Sequence, residues 1–163
     1  MTPTSTECVL CRGREADAEL LRVEVWEDTY WRLTTSICSE VAGFSYLEPR
    51  RHITDITQLD GDEARTFGET LARITRMLRE ETGSDLVYIY VFGDSVPHLH
   101  LHLAPRHAHG ATEPLNDQMI RGETTTQKMA NGMELVVSKD YPVLPEDDLR
   151  ALADRLRQRL VGE

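Results

Sequence analysis

The stretch Pro97-His98-Leu99-His100-Leu101-His102-Leu103-Ala104 alternates imidazoles with leucines. In an extended chain successive side chains point to opposite faces, so the three histidines fall on one face and the three leucines on the other. The leucine face suits a core, and the histidine face meets something else. Imidazole titrates near neutrality, so three in a row fit proton transfer, metal binding or nucleophilic attack on phosphorus.

The flanking sequence supplies the rest of a sheet. Leu86 to Phe92 is a β-rich run interrupted by Gly93-Asp94-Ser95 before the histidines, which reads as a hairpin whose loop holds Ser95 near His98 in sequence. Val23, Val25 and Trp26, then Tyr30, Trp31, Leu33 and Thr35, form two more β-prone runs around Glu27-Asp28-Thr29, a second hairpin. A further strand runs from Phe44 to Leu47, and Pro49 is expected to end it in a turn at Pro49-Arg50-Arg51-His52, because proline cannot continue the ladder.

Two helices stand out. Ala64, Phe67, Leu71, Ile74 and Leu78 recur every three or four residues, with Asp60 and Glu63 at capping-box spacing and Gly83 as a C-terminal stop. Leu149, Leu152, Ala153, Leu156 and Leu160 mark a terminal amphipathic helix opened by Pro145, whose Arg150, Arg155, Arg157 and Arg159 read as a solvated face. Between the strand and this helix, about residues 108–131 show no period and read as a loop or flap, and Glu134 to Ser138 reads as a short strand. The expected fold class is α+β, in a single domain over 1–163 with its core at about 8–106 and a C-terminal extension at about 107–163.

A formal net charge of −10 argues against broad nucleic-acid binding, which needs Lys and Arg against phosphates. A small phosphorylated ligand stays open, because charge at the site matters more than the total. No apolar stretch reaches the ~20 residues that cross a bilayer, and residues 1–7 lack the basic and apolar regions of a signal peptide, so the expectation is a cytoplasmic protein without a membrane partner. Cys8, Cys11 and Cys38 are an odd number, which disfavours a disulfide framework. Cys8 and Cys11 have C-x-x-C spacing; the pair is either half of a zinc site in need of two more ligands or two thiols near a terminus.

The run His98-Leu99-His100-Leu101-His102-Leu103-Ala104 resembles the signature of the histidine triad family, and Gly43-Phe44-Ser45-Tyr46-Leu47-Glu48-Pro49-Arg50-Arg51-His52 is similar to its strand and Pro-basic-x-His turn. With C-x-x-C, the central helix and the loop before the triad in the expected order, the resemblance spans Cys8 to Arg106. It implies an antiparallel sheet with one long central helix and a C-terminal helix, a homodimer, and action at the α-phosphate of a nucleotide. His100 is then the nucleophile that forms a covalent phosphohistidine, His102 donates hydrogen bonds to phosphoryl oxygens, and Ser95 assists the leaving group.

Substrate binding falls, by the same resemblance, to Ser36, Ile37, Gly93, Asp94 and Arg106, although an arginine at a strand end is also commonly a solvated charge. The zinc-containing branch, which includes galactose-1-phosphate uridylyltransferase, implies Cys8, Cys11, His52 and His98 as ligands of a structural zinc ion. Three departures bear on the substrate: Ser36 stands where many members have a ribose-gripping aspartate, Phe44 where many have a histidine, and the loop Gly93-Asp94-Ser95-Val96-Pro97 is short. The rival readings are a zinc-stabilised nucleotide-binding module without turnover, an enzyme of the same fold serving a dedicated pathway intermediate, and a catalytic zinc on the three triad histidines.

Overall fold

The leucine–histidine alternation is realised at the middle of a sheet. The computed structural model describes residues 7–92, 96–107, 124–129, 132, 134–139 and 141–162. Five strands, β1 (Arg22–Glu27), β2 (Trp31–Ser36), β3 (Ser45–Pro49), β4 (Leu86–Tyr90) and β5 (Leu101–Arg106), form one antiparallel sheet in the order β1-β2-β3-β5-β4. The expected hairpins are the β1–β2 and β4–β5 pairs, and β3 lies between them.

Register sorts the two faces. Leu33 pairs with Leu47 and Leu47 with Leu101, so Leu33, Leu47, Leu101 and Leu103 point to one side with Trp31. That face is buried beneath Ile74, Met77 and Leu78 of a long helix, α2 (Gly61–Thr82), which follows the short α1 (Arg14–Asp17) in the chain. The terminal helix, α3 (Glu146–Val161), adds Leu152, Ala153, Leu156 and Leu160 to the same core and packs on β1 and α2. Burying a leucine contributes about 1.5–3 kcal/mol, so this cluster is the main apolar contribution to stability. Gly43 lets β3 start against α2: its φ is +79°, and a Cβ there would lie 2.9 Å from Thr82 Cγ2.

Three local expectations are corrected. β3 continues through Pro49 instead of ending at Leu47, because Pro49 forms a non-hydrogen-bonded pair with Trp31 while Arg50 N–H donates to the Tyr30 carbonyl, so no ladder bond needs the missing proline N–H. Asp60 caps α2 by accepting from Gly61 N–H, but Glu63 does not complete a box; its carboxylate is buried and takes Arg51 at 2.6 Å. Within the supposed loop, Thr124–Lys128 forms β6, paired antiparallel with β7 (Glu134–Ser138). β6 is exposed along its length, so its β-branched threonines carry strand preference without any hydrophobic period. The α3 arginines lie on a solvated face, as expected, and some also reach partners there: Arg155 and Arg159 reach Glu81, and Arg157 donates to the Glu24 carbonyl.

Opposite the leucines, the β1–β3 half of the sheet buries charge. Arg22 donates to both Glu48 oxygens at 3.0 and 3.2 Å and to Asp17 at 3.0 Å, while Arg32 bridges Asp17, Glu24 (2.7 Å) and Glu48 (3.2 Å). Asp17 ends α1, so this network fastens the amino-terminal segment across the sheet. Removing one member of a buried ion set leaves its partner charged and unpaired, which costs about 3–5 kcal/mol. Glu48→Gln and Arg22→Met are each expected to lower unfolding stability by about that amount in urea titrations, whereas Arg65→Ala, which breaks an exposed pair with Asp62, is expected to leave the urea midpoint essentially unchanged.

Candidate active site and metal centre

Four side chains from three distant pieces of sequence converge at the amino-terminal segment. Cys8 precedes a 3₁₀ turn at Leu10–Arg12 and Cys11 is its middle residue, His52 follows the end of β3, and His98 lies just ahead of β5. Their donor atoms all lie within 4.8 Å of one another. His98 Nε2–H donates to the Pro49 carbonyl at 2.8 Å, so its Nδ1 carries a lone pair, and that atom faces Cys8 Sγ at 3.5 Å and Cys11 Sγ at 3.4 Å. His52 Nδ1 lies 3.3 Å from Cys11 Sγ. Two thiols and two imidazoles, one held by a carbonyl behind it, fit a closed tetrahedral zinc site of the structural kind. Burial holds His98's pKa below its ordinary value, which favours the neutral ligand form.

The regular strand begins at Leu101, so His98 and His100 stand on the irregular run before it and only His102 lies within β5. The separation has a consequence: His98 turns to the cysteines while His100 and His102 stay together, ring centroids 5.0 Å apart. His100 Nδ1 lies 2.7 Å from the His98 carbonyl, which can only accept, so Nδ1 carries a proton and the lone pair of the neutral ring belongs to Nε2. His102 Nδ1 makes a longer contact of 3.4 Å to the Tyr90 carbonyl. Its ring stacks on Tyr90 at 4.8 Å with an interplanar angle of 3°, and Tyr46 meets it edge-on at 5.3 Å. Burial first, and His100 second, push the His102 pKa down to about 4 against that carbonyl contact.

The expected substrate residues are not all brought together. Ser36 lines the pocket beside His102, with Oγ donating to the Cys38 carbonyl and accepting from Cys38 N–H. Ile37 is buried and lines a separate groove along β1. Arg106 sits at the far end of β5, its guanidinium 5.4 Å over the Tyr88 ring. Gly93, Asp94 and Ser95 lie outside the described residues. Tyr46 and Tyr90, both register partners of His102, were not among the expected site residues. Alternation is the available signal for both: Leu86-Val87-Tyr88-Ile89-Tyr90 puts Tyr88 and Tyr90 on one face, and Phe44-Ser45-Tyr46 does the same for Phe44 and Tyr46.

A family model described as "HIT domain" matches residues 18–109, more than half of the chain. The chain belongs to the HIT family. Solved structures agree on the HIT fold. A Zn-bound histidine triad family protein from Mycobacterium smegmatis is 20% identical with a TM-score of 0.61, over 98% of this chain and 100% of that one. A hypothetical histidine triad nucleotide-binding protein from Sulfolobus tokodaii is 15% identical with a TM-score of 0.63, over 95% and 93%. A HIT family hydrolase from Clostridium thermocellum is 20% identical with a TM-score of 0.50, over 67% and 98%. No match was found among the curated proteins. No helix among the described residues is long and apolar enough to cross a membrane.

Metal analysis of this HIT protein is expected to find zinc in the wild type, its loss in Cys8→Ser and His98→Ala, and its retention in His102→Ala; chelation is expected to lower the melting temperature. Loss of zinc in His102→Ala would place the ion on the triad instead.

The low His102 pKa also sets a pH dependence. The unfolded chain binds this proton below about 6.5 and the folded chain only below about 4, so stability falls as pH falls through that window. Urea midpoints at pH 7 and pH 5 are expected to differ less in His102→Gln than in the wild type, and an NMR titration of His102 is expected to have its midpoint near 4.

Proposed function

We propose that this HIT protein is a nucleotide-phosphate hydrolase or nucleotidyl transferase acting at the α-phosphate through a covalent phosphohistidine on His100. One observation carries the reading: with Nδ1–H donated to the His98 carbonyl at 2.7 Å, His100 presents an Nε2 lone pair beside His102. Attack by that nitrogen forms a P–N bond and breaks the bond to the leaving group, which departs with a proton drawn from solvent; the water that later attacks phosphorus returns one proton to solvent. The imidazole is then cationic, and Nδ1–H remains donated to a carbonyl dipole that stabilises the charge. Water attacks phosphorus in the second step, the P–N bond breaks, and the nucleoside monophosphate leaves; a second acceptor in place of water gives transfer.

His102 is neutral in the free protein, and an anionic phosphoryl group beside it favours its protonated form. Protonated, Nε2–H donates to a phosphoryl oxygen, the role the family resemblance implies. The resemblance also assigns Ser95 to the leaving group, and Ser36, Ile37, Gly93, Asp94 and Arg106 to substrate. Zinc on Cys8, Cys11, His52 and His98 is structural and supplies rigidity to the segment that carries the nucleophile. Solved relatives in fold named for nucleotide binding and for hydrolysis support the reading. Homodimerisation is supported by the edge strand β4, after which Val91 and Phe92 stay exposed, as does Ile89 within it. The net charge of −10 supports a reading without nucleic-acid partners.

Mass spectrometry after brief incubation with adenosine 5′-phosphoramidate is expected to find adenylate on His100. His100→Ala is expected to lose the label and at least about a thousandfold in kcat, as removal of a covalent nucleophile does. Tight nucleotide binding with no label and no product would support the binding-module reading instead.

A further inference from the structure

The β6–β7 hairpin belongs to the extension beyond the triad, yet it stands over the triad face. It is fastened to the segment after β2 at several points. Ser138 N–H donates to the Glu40 carboxylate at 2.8 and 3.1 Å, Met129 Sδ lies 3.8 Å from Cys38 Sγ, and Leu144 N–H donates to the Ser39 carbonyl at 2.9 Å. Between hairpin and sheet lies a cavity of about 200 Å³. Its sheet side presents His102 with Phe44, Tyr46, Tyr90 and Phe92, and its outer side is β7.

Strand alternation decides which β7 residue meets an occupant. Leu135 and Val137 share a face, and Val137 is buried, so that face is turned inward. Leu135, on the same face, is only partly buried and lines the cavity. The described lining residues include no lysine or arginine, and Glu40 is engaged by Ser138, so apart from His102 at its triad end the lining offers nothing that attracts a phosphate. Aromatic faces and an aliphatic side chain suit a flat, uncharged ring. The volume lies below the ~300–1,000 Å³ of sites for drug-sized ligands, which suits one base-sized group.

We propose that the β6–β7 hairpin is the specificity wall of this site, with Leu135 packing against the base of a nucleoside phosphate whose phosphoryl group lies at His100 and His102. The inference rests on the function proposed above, and it names the part of the molecule that selects the substrate's non-reacting end. Leu135 acts on binding of the base and takes no part in the transfer.

The test compares wild type with Leu135→Asp and Leu135→Ala. AMP binding is measured by calorimetry, and kcat/KM is measured for adenosine 5′-phosphoramidate and for methyl phosphoramidate, which has no base. Leu135→Asp is expected to weaken AMP binding about tenfold and to lower the ratio of the two kcat/KM values about tenfold, through KM; Leu135→Ala is expected to do the same by about threefold, and carries the test if the aspartate variant does not fold. A change under twofold in both quantities, or a wild type that binds no nucleoside monophosphate, overturns the wall. Weakened AMP binding in a protein whose wild type never labels His100 keeps the wall and overturns the catalytic reading, while a labelled His100 with unchanged binding and ratio overturns the wall alone.

Discussion

The hydrogen bond from His98 Nε2–H to the Pro49 carbonyl, 2.8 Å long and buried, joins the triad run and the metal-ligand cluster to the sheet that holds them. It fixes the His98 tautomer, so that Nδ1 faces the two cysteines. It ties the end of β3 to the run that enters β5. It also holds still the residue whose own carbonyl accepts from His100, so one orientation passes to the next: Pro49 sets His98, and His98 sets His100. The irregular run gains a second hold from Leu99 N–H, which donates to Ile53 at 2.6 Å beside His52. A stretch without ladder partners thereby acquires the rigidity of a strand.

The amino-terminal segment buries Leu10 and Ala16 and is also held at both ends by polar contacts. At one end stand the cysteines and histidines, and at the other Asp17 meets Arg22 and Arg32. Buried ion sets contribute little net stability, because desolvation offsets most of the attraction, but they penalise any other arrangement heavily. Their effect here is specificity of placement. The carboxylate of Glu48, next in sequence to Pro49, takes both arginines, which links the ion set to the carbonyl that orients His98.

Legibility in the sequence followed the physics of each signal. The α3 core residues and the strand faces could be read because burial writes a period into the chain, and Leu149, Leu152, Ala153, Leu156 and Leu160 are all buried as that period requires. Ala64 kept the α2 period and is nevertheless exposed, since it lies in the first turn and the core packs lower on the helix. Glu63 failed as a cap because a tertiary partner, Arg51, competes for its carboxylate. The metal-ligand set was reached only through family resemblance, as spacing alone gave two of four ligands. β6 left no period, and the contacts that seat the hairpin link residues such as Cys38 and Met129, 91 apart, which no local pattern announces.

Two imidazoles 5.0 Å apart in a partly buried site repel if both are charged. A carboxylate behind His100 would raise its basicity and favour the imidazolium, which has no lone pair to attack with. A neutral carbonyl holds the same ring geometry and tautomer without supplying that charge. The neighbouring His102, stacked on Tyr90 and neutral, then adds no positive field that would lower the nucleophilicity of His100 before substrate arrives. In the mechanism proposed above, the negative charge of the phosphoryl group favours a protonated His102, which takes its proton from solvent, so the event that brings the electrophile to His100 also creates the hydrogen-bond donor beside it. An arginine fixed in place of His102 would have that donor permanently, at the expense of a field acting on the nucleophile in the resting protein; a low-pKa imidazole supplies it only when phosphate is present.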